Sequence, residues 1–288
     1  MSTPNISDIP VVNSVNALRG KVGGWKGKGQ SIMLVPTMGA LHEGHLSLVR
    51  LAREKADKVV VSIFVNPAQF APHEDFQEYP RELERDRARL VDENVDLIYA
   101  PTPGVMYAPG DATSVQVKGL SEPLCGITRP HFFGGVATVV TKLLIQCAPD
   151  MAIFGEKDYQ QLLVVRRLVR DLSLPVKICS GPIIREENGL ALSSRNAYLS
   201  KAQRRIAPLL NQLMRKAAQK IKDGAPIPAV LEQTTTALVE AGFNKVDYLE
   251  IHDAETLEPV STVSRQTPTR LFAAVWLGQT RLIDNIEI

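Results

Sequence analysis

Residues 34–50 read LVPTMGALHEGHLSLVR, and three signals meet in them. An apolar run, SIMLVP (31–36), ends at Pro36 and passes through Thr37, Met38 and Gly39. Two histidines, His42 and His45, then bracket Gly44. After them Leu46, Val49, Ala52 and Ala56 recur at helical spacing through HLSLVRLAREKA. This is a buried strand, a short turn and an amphipathic helix. The chain holds five histidines, and core packing gives no reason to place two of them three residues apart at a helix start.

The same alternation continues outward. KVVVSIFV (58–65) reads as a strand, NPAQFAPHEDFQEYP (66–80) as a polar loop, RELERDRARLVDEN (81–94) as a charged surface helix and DLIYA (96–100) as a strand. GVATVVTKLLIQC (135–147) and YQQLLVVRRLVRDL (159–172) read as helices, with MAIFG (151–155) as the strand between them and VKICS (176–180) as the strand after them. Continuous apolar strands are expected where helices cover both faces of a sheet. The pattern predicts a doubly wound, Rossmann-like parallel sheet over residues 1–184. Beyond Pro182 the rhythm changes: a turn at Asn188–Gly189, helices over about 200–222 and 227–241, a strand VDYLEIHD (246–253), and a hairpin turning near Gly278–Gln279. Residues 185–288 are therefore expected to form a smaller α+β domain.

Composition narrows the function. With 44% hydrophobic and 22% charged residues the chain is globular, and a net charge of +2 gives no global field for nucleic acid or membranes. The apolar runs are strand-sized, far short of a membrane span. MSTPNISDIP at the start lacks the basic and apolar regions of a signal peptide. Cys125, Cys147 and Cys179 are odd in number and without CxxC pairing. Reduced thiols in a cytoplasmic protein are expected.

In an open parallel sheet, ligands bind beyond the carboxyl ends of the strands. Three polar clusters fall there: Pro36–Gly39, Asn66–Gln69 and Gly155–Asp158. His42 and His45, at i and i+3 around a helix start, can face one point. The helix N-terminus suits an anion there, and neutral imidazole N–H groups can donate to phosphate oxygens. A zinc site lacks further ligands at matching spacing. Gln69 could equally be a loop-capping amide; for Lys157 a salt bridge with its acidic neighbours is the alternative, but its expected position opposite the histidine pair favours a phosphate ligand. Ser193, Ser194 and Arg195 offer two hydroxyls and a guanidinium to phosphate, whereas Met214 and KAAQKIK read as packing and solvated charge. No GxxxxGK[ST] or GxGxxG occurs in the turns. The residues alone lead as far as an ATP-using transferase or ligase.

PTMGALHEGHLSLV, FVNPAQF, GEKDYQQ and LALSSRN, in that order, resemble the motif series of the pantoate–β-alanine ligase family of HxGH nucleotidyltransferases. The likeness runs over nearly the whole chain. It implies that ATP and (R)-pantoate form pantoyl adenylate and pyrophosphate with Mg²⁺, after which β-alanine displaces AMP. It assigns ATP to Met38, Gly39, Ala40, Leu41, His42, Glu43, Gly44 and His45, to Gly155, Glu156, Lys157 and Asp158, and to Ile184, Leu192, Ser193, Ser194 and Arg195. His45, Lys157 and Arg195 are the implied catalytic groups, His45 as proton donor. Gln69, Gln161 and Asn66 are implied to hold pantoate and β-alanine. A homodimer with a mobile C-terminal lid is implied as well. RPHFFGGV departs from the family's R-P-G-H-F-x-G-V, so His131 is not carried over. Cys125 stands where the family often has Glu, and Glu84-Arg85-Asp86 is less acidic than in some members. An HxGH enzyme that adenylylates a phosphorylated cofactor precursor is a rival within the superfamily, and a non-catalytic nucleotide-binding module is a rival outside it.

Overall fold

The computed structural model describes residues 9–72, 74–264 and 266–288. Residues 1–8, most of the stretch read for a targeting signal, lie outside them. The described residues divide into two compact units. The first takes in the chain up to Ser121 with Arg129–Glu156 and Gln161–Pro182; the second takes in Glu122–Thr128, Lys157–Gln160 and Ile183–Ile288.

Six parallel strands carry the first unit: β1 (Val11–Val12), β2 (Ile32–Thr37), β3 (Lys58–Ile63), β4 (Leu97–Tyr99), β5 (Met151–Gly155) and β6 (Lys177–Gly181). Their order is β1-β4-β3-β2-β5-β6. The helices in chain order are α1 (Val15–Lys26), α2 (Glu43–Lys55), α3 (Leu83–Val91), α4 (Pro103–Met106), α5 (Cys125–Thr128, in the second unit), α6 (Phe132–Cys147) and α7 (Tyr159–Asp171). Met33, Leu34, Val35, Val59, Val60 and Val61 are fully buried in the two central strands. Each such side chain is worth roughly 1.5–3 kcal/mol in burial. The expected doubly wound sheet is the one found.

From β2 the chain builds outward in both directions, so the switch in strand order lies between β2 and β5. These two strands pair only at Met33↔Met151 and Leu34↔Ala152, although β2 continues to Thr37 and β5 to Gly155. Pro36 supplies a reason. Ser31 and Thr37 accept hydrogen bonds from Lys58 and Phe64 on the β3 side, whereas Ile32 accepts from Asp150 on the β5 side. Alternate residues of a parallel strand serve alternate neighbours, so Pro36 lies on the β5 side and has no N–H to give. The ladder stops where the proline stands, at the carboxyl end of the sheet.

α1 and β1 have no counterpart in the sequence pattern. Gly20, Gly23 and Gly24 interrupt the apolar period of α1, which buries only Leu18 and Val22, one turn apart. Ser14 caps it by accepting from the Ala17 N–H at 3.2 Å.

The second unit pairs three antiparallel strands, β7 (Lys245–Asp253), β8 (Thr269–Leu277) and β9 (Thr280–Glu287), in that order. The β8–β9 hairpin turns at Gly278, with φ +62°. The helices are α8 (Lys201–Ile206), α9 (Leu209–Lys222) and α10 (Ile227–Glu240). The single helix expected over 200–222 is two, because Pro208 cannot continue α8 and instead caps α9. Met214 is fully buried in a core with Leu210, Ala217, Leu238, Phe243 and Leu271. Among the described residues no helix is long and apolar enough to cross a membrane.

Candidate active site

His42 is the N-cap of α2 and His45 its third residue. Their Nδ1 atoms work reciprocally: His42 accepts from the Gly44 N–H at 3.1 Å, and His45 accepts from the His42 N–H at 3.3 Å. The rings lie 4.0 Å apart between centroids. An imidazole nitrogen that accepts carries no proton, so both rings are neutral and hold their proton on Nε2. The N–H of Gly44 is taken by His42, and the N–H of His45 by the His42 carbonyl at 2.8 Å. Glu43 pairs with Arg50.

The loop before the helix is gripped from α3. Asp86, 2% exposed, accepts from the Ala40 N–H at 2.9 Å and the Leu41 N–H at 2.8 Å, one on each oxygen. Arg89 donates to the Leu41 carbonyl at 2.7 Å. Burial pushes the Asp86 carboxyl up from its ordinary value, and the two N–H donors act against that. Gly39 is required here: it holds φ +79°, and a Cβ would lie 2.9 Å from Asp86 Oδ2. The sequence marks the Glu84-Arg85-Asp86 stretch only as less acidic than in some family members; in the structure Asp86 holds Ala40 and Leu41.

Beyond β3, a short 3₁₀ turn, Pro67–Gln69, carries Gln69, which is 7% exposed. Its Nε2 donates to Met38 Sδ at 3.0 Å. Asn66 is 1% exposed and bonds Gln69, Gly135, Ala68 and Tyr107. All four hydrogen-bonding positions of its amide are thus taken within the protein, one of them by Gln69. Gly135 on α6 lets that helix approach, since a Cβ would fall 2.2 Å from the Ala68 carbonyl oxygen. Arg129 holds Glu74 through two bonds of 2.7 and 2.6 Å, donates to the Gln69 carbonyl, and lies 3.9 Å over the Phe132 ring. Burial raises the Glu74 carboxyl, but the bonds and charge of Arg129 prevail and hold it below its ordinary value. No local spacing announces Glu74, Arg129 or Tyr107: Tyr107 and Arg129 come from segments distant in sequence, and Glu74, in the same loop as Gln69, has its partner in Arg129. Gln161 lies in the first turn of α7, half-buried.

Gly155 ends β5, and Glu156 accepts from the Ser180 hydroxyl at 3.0 Å. Lys157 and Asp158 belong to the second unit, where their ion pair is long, 3.9 Å. In that unit Ile184 and Leu192 face each other through a backbone bond of 3.0 Å, closing the hairpin whose turn is Asn188–Gly189, with Gly189 at φ +95°. Arg185 anchors it by a bidentate pair with buried Asp284 at 2.7 and 2.8 Å. Ser193 then caps the turn of Ser194 and Arg195 by accepting from the Arg195 N–H at 3.3 Å. Cys125 lies against the Tyr248 hydroxyl at 3.1 Å and Arg281 at 3.5 Å. Arg281 takes its carboxylate from Asp247 at 2.8 Å.

Among the described residues no group of three or more His, Cys, Asp or Glu side chains is placed to hold a metal ion.

Comparison with known proteins bears on the family. A family model of pantoate-beta-alanine ligase matches residues 10–287. The pantothenate synthetase of Paramagnetospirillum magneticum is 52% identical over 280 residues, 97% of this chain and 98% of that protein. That of Rhodopseudomonas palustris is 52% identical over the full length of both chains. Among solved structures, the Thermus thermophilus pantothenate synthetase superposes with a TM-score of 0.91 at 46% identity, covering 97% of this chain and 99% of that one. The Francisella tularensis pantoate-beta-alanine ligase, solved with beta-gamma ATP and β-alanine, gives 0.83 at 34% identity over 97% of each chain. With a family model matched from residue 10 to residue 287 and relatives about half identical over nearly the whole chain, the chain belongs to the pantoate–β-alanine ligase family.

Proposed function

We propose that the chain condenses (R)-pantoate with β-alanine through a pantoyl adenylate, consuming ATP and releasing pyrophosphate and AMP. The observation that carries this reading is the reciprocal His42–His45 cap at the carboxyl end of β2, in a chain of this family. Neutral rings with Nε2–H donors suit a polyphosphate without adding fixed charge. In the first step a pantoate carboxylate oxygen forms a bond to the α-phosphorus, and the bond to pyrophosphate breaks. His45 donates to phosphate oxygen as charge builds, an interaction stronger in the transition state than before it. Lys157 and Arg195, assigned through the family resemblance, offset the repulsion between two anions. In the second step the β-alanine nitrogen attacks the acyl carbon, loses a proton and expels AMP. Positioning beside a mixed anhydride suffices for this step.

The described residues do not form a carboxylate cage for Mg²⁺, and both Asp86 oxygens are engaged by backbone N–H groups. We therefore take Mg²⁺ as part of the ATP substrate, held by its phosphates. A homodimer is proposed from the family resemblance, testable by light scattering. A cytoplasmic location is proposed from the three unpaired cysteines.

Product analysis decides the function. Incubation with ATP, Mg²⁺, pantoate and β-alanine is expected to yield pantothenate and AMP in equal amounts. A dinucleotide product would identify a cofactor adenylyltransferase, and no turnover would leave a binding module. Within the reading, Lys157→Ala is expected to slow adenylate formation by roughly 10²–10³, the cost of one preorganised donor, measured by single-turnover assay.

A further inference from the structure

An asparagine amide has two acceptor and two donor positions, and Asn66 fills all four. Its Oδ1 accepts from the Tyr107 hydroxyl at 2.7 Å and from the Ala68 N–H at 3.2 Å. Its Nδ2 donates to Gln69 Oε1 at 3.0 Å and to the Gly135 carbonyl at 3.1 Å. Two of these partners are backbone groups that cannot change role. Turning the amide over would set Nδ2 against the Ala68 N–H and Oδ1 against the Gly135 carbonyl, so its orientation is fixed. The same polarity passes to Gln69. With Oε1 engaged by Asn66, the other end of the Gln69 amide is a donor, Nε2, and among the described residues it meets a thioether, Met38 Sδ, at 3.0 Å. Sulfur is a weak acceptor, readily exchanged for an oxygen.

We infer that Tyr107 and Asn66 are positioning residues that hold Gln69 as a hydrogen-bond donor to pantoate, so that the site reads an oxygen lone pair of the acid. The inference rests on the proposed role of Gln69 toward pantoate and specifies its chemistry. A site of this polarity accepts a carboxylate or hydroxyl oxygen and discriminates against a group that can only donate. Tyr107 starts the chain and must keep its proton to do so. Burial pushes that phenol up to about 12, against the opposing bond to Asn66, so the chain Tyr107–Asn66–Gln69 runs in one direction across the working range of pH. Each link donates to the next, an arrangement in which hydrogen bonds strengthen one another.

The test is steady-state kinetics on Tyr107→Phe, Asn66→Asp and their double variant, varying each substrate in turn. Tyr107→Phe is expected to raise KM for pantoate about three- to ten-fold, the scale of one net hydrogen bond, with KM for ATP within about two-fold of wild type. Asn66→Asp keeps the size of the side chain and still accepts from Tyr107 and Ala68. It places a lone pair against Gln69 Oε1, so the glutamine must turn over and present oxygen. KM for pantoate is then expected to rise by about 30-fold or more, and the double variant to be no worse than Asn66→Asp within about two-fold, because both changes act through one chain. Asn66→Asp with near-wild-type pantoate kinetics would overturn the inference. So would variants in which KM for ATP rises as much as KM for pantoate, the mark of general damage. Should Asn66→Asp fail to fold, the pantoate-against-ATP split of Tyr107→Phe decides alone. A wild-type protein that makes no pantothenate refutes the proposed function itself, and this inference falls with it.

Discussion

Helices are normally capped by Ser, Thr, Asp or Asn; at α2 two imidazoles do this work through their Nδ1 atoms. Capping and chemistry can be separated. His42→Asn supplies a good cap without an imidazole, so unfolding free energy is expected to change by less than ~0.5 kcal/mol, while adenylate formation falls by ~10²-fold. Chemical denaturation and single-turnover assays check the two halves; a loss confined to stability would return His42 to a structural role. Asp86 is a second residue with a single physical task. Asp86→Asn would turn an NH₂ toward either the Ala40 or the Leu41 N–H, leaving a buried donor unmet at a cost of ~1–3 kcal/mol. That loss is expected in denaturant unfolding, together with weaker ATP use. His42 and His45 were legible because their relation is a spacing. Asp86 was not, because its partners are 46 and 45 residues away.

Among the elements, the ones that place the site are those whose pattern is plain. β2 and β3 are apolar runs, and Pro36 is visible as a residue that cannot serve a neighbouring strand. α1 is the contrary case: its glycines suppress the helical period, and the tertiary burial of Leu18 and Val22 supplies the stabilisation that propensity lacks. The glycines of the two helices should respond in opposite directions. Gly23 is exposed and a Cβ there meets nothing within 4 Å, so Gly23→Ala is expected to stabilise by ~0.5–1 kcal/mol. Gly135→Ala would drive a methyl into the Ala68 carbonyl at 2.2 Å, and overpacking of this kind costs ~1–3 kcal/mol or more. It should also displace the turn that carries Gln69, so thermal unfolding and KM for pantoate are both expected to worsen. A Gly135→Ala protein as stable as wild type would mean that α6 does not press on that turn.

At the scale of the whole molecule, stability should fall in acid for an identifiable reason. Glu74 in the first unit is raised by burial but brought below its ordinary value of 4.5 by Arg129. Asp247 in the second is raised by burial but brought below 3.8 by Arg281, Lys245 and Trp276. A depressed carboxylate adds stability that is complete above the ordinary value and is lost as pH falls through the folded one. Glu74→Gln is therefore expected to cost ~1.5–3 kcal/mol at pH 7, the range of a charge-assisted bond, and to converge with wild type in denaturant titrations as pH falls through the folded-state value. The division into a parallel sheet and a smaller α+β unit could be read from the change of rhythm after Pro182. The assignment of Lys157–Gln160 and Glu122–Thr128 to the second unit could not, because it rests on contacts such as Gln160 with Cys125 and Asn285 with Lys157 that no local pattern encodes. The central claim is that this chain activates pantoate as an acyl adenylate before the amine is used. Exchange of labelled pyrophosphate into ATP tests it most directly. With enzyme, Mg²⁺, ATP and pantoate, exchange is expected in the absence of β-alanine, and it should fall sharply in His45→Ala; exchange that appears only when β-alanine is added, or ADP formed in place of AMP, would contradict the account.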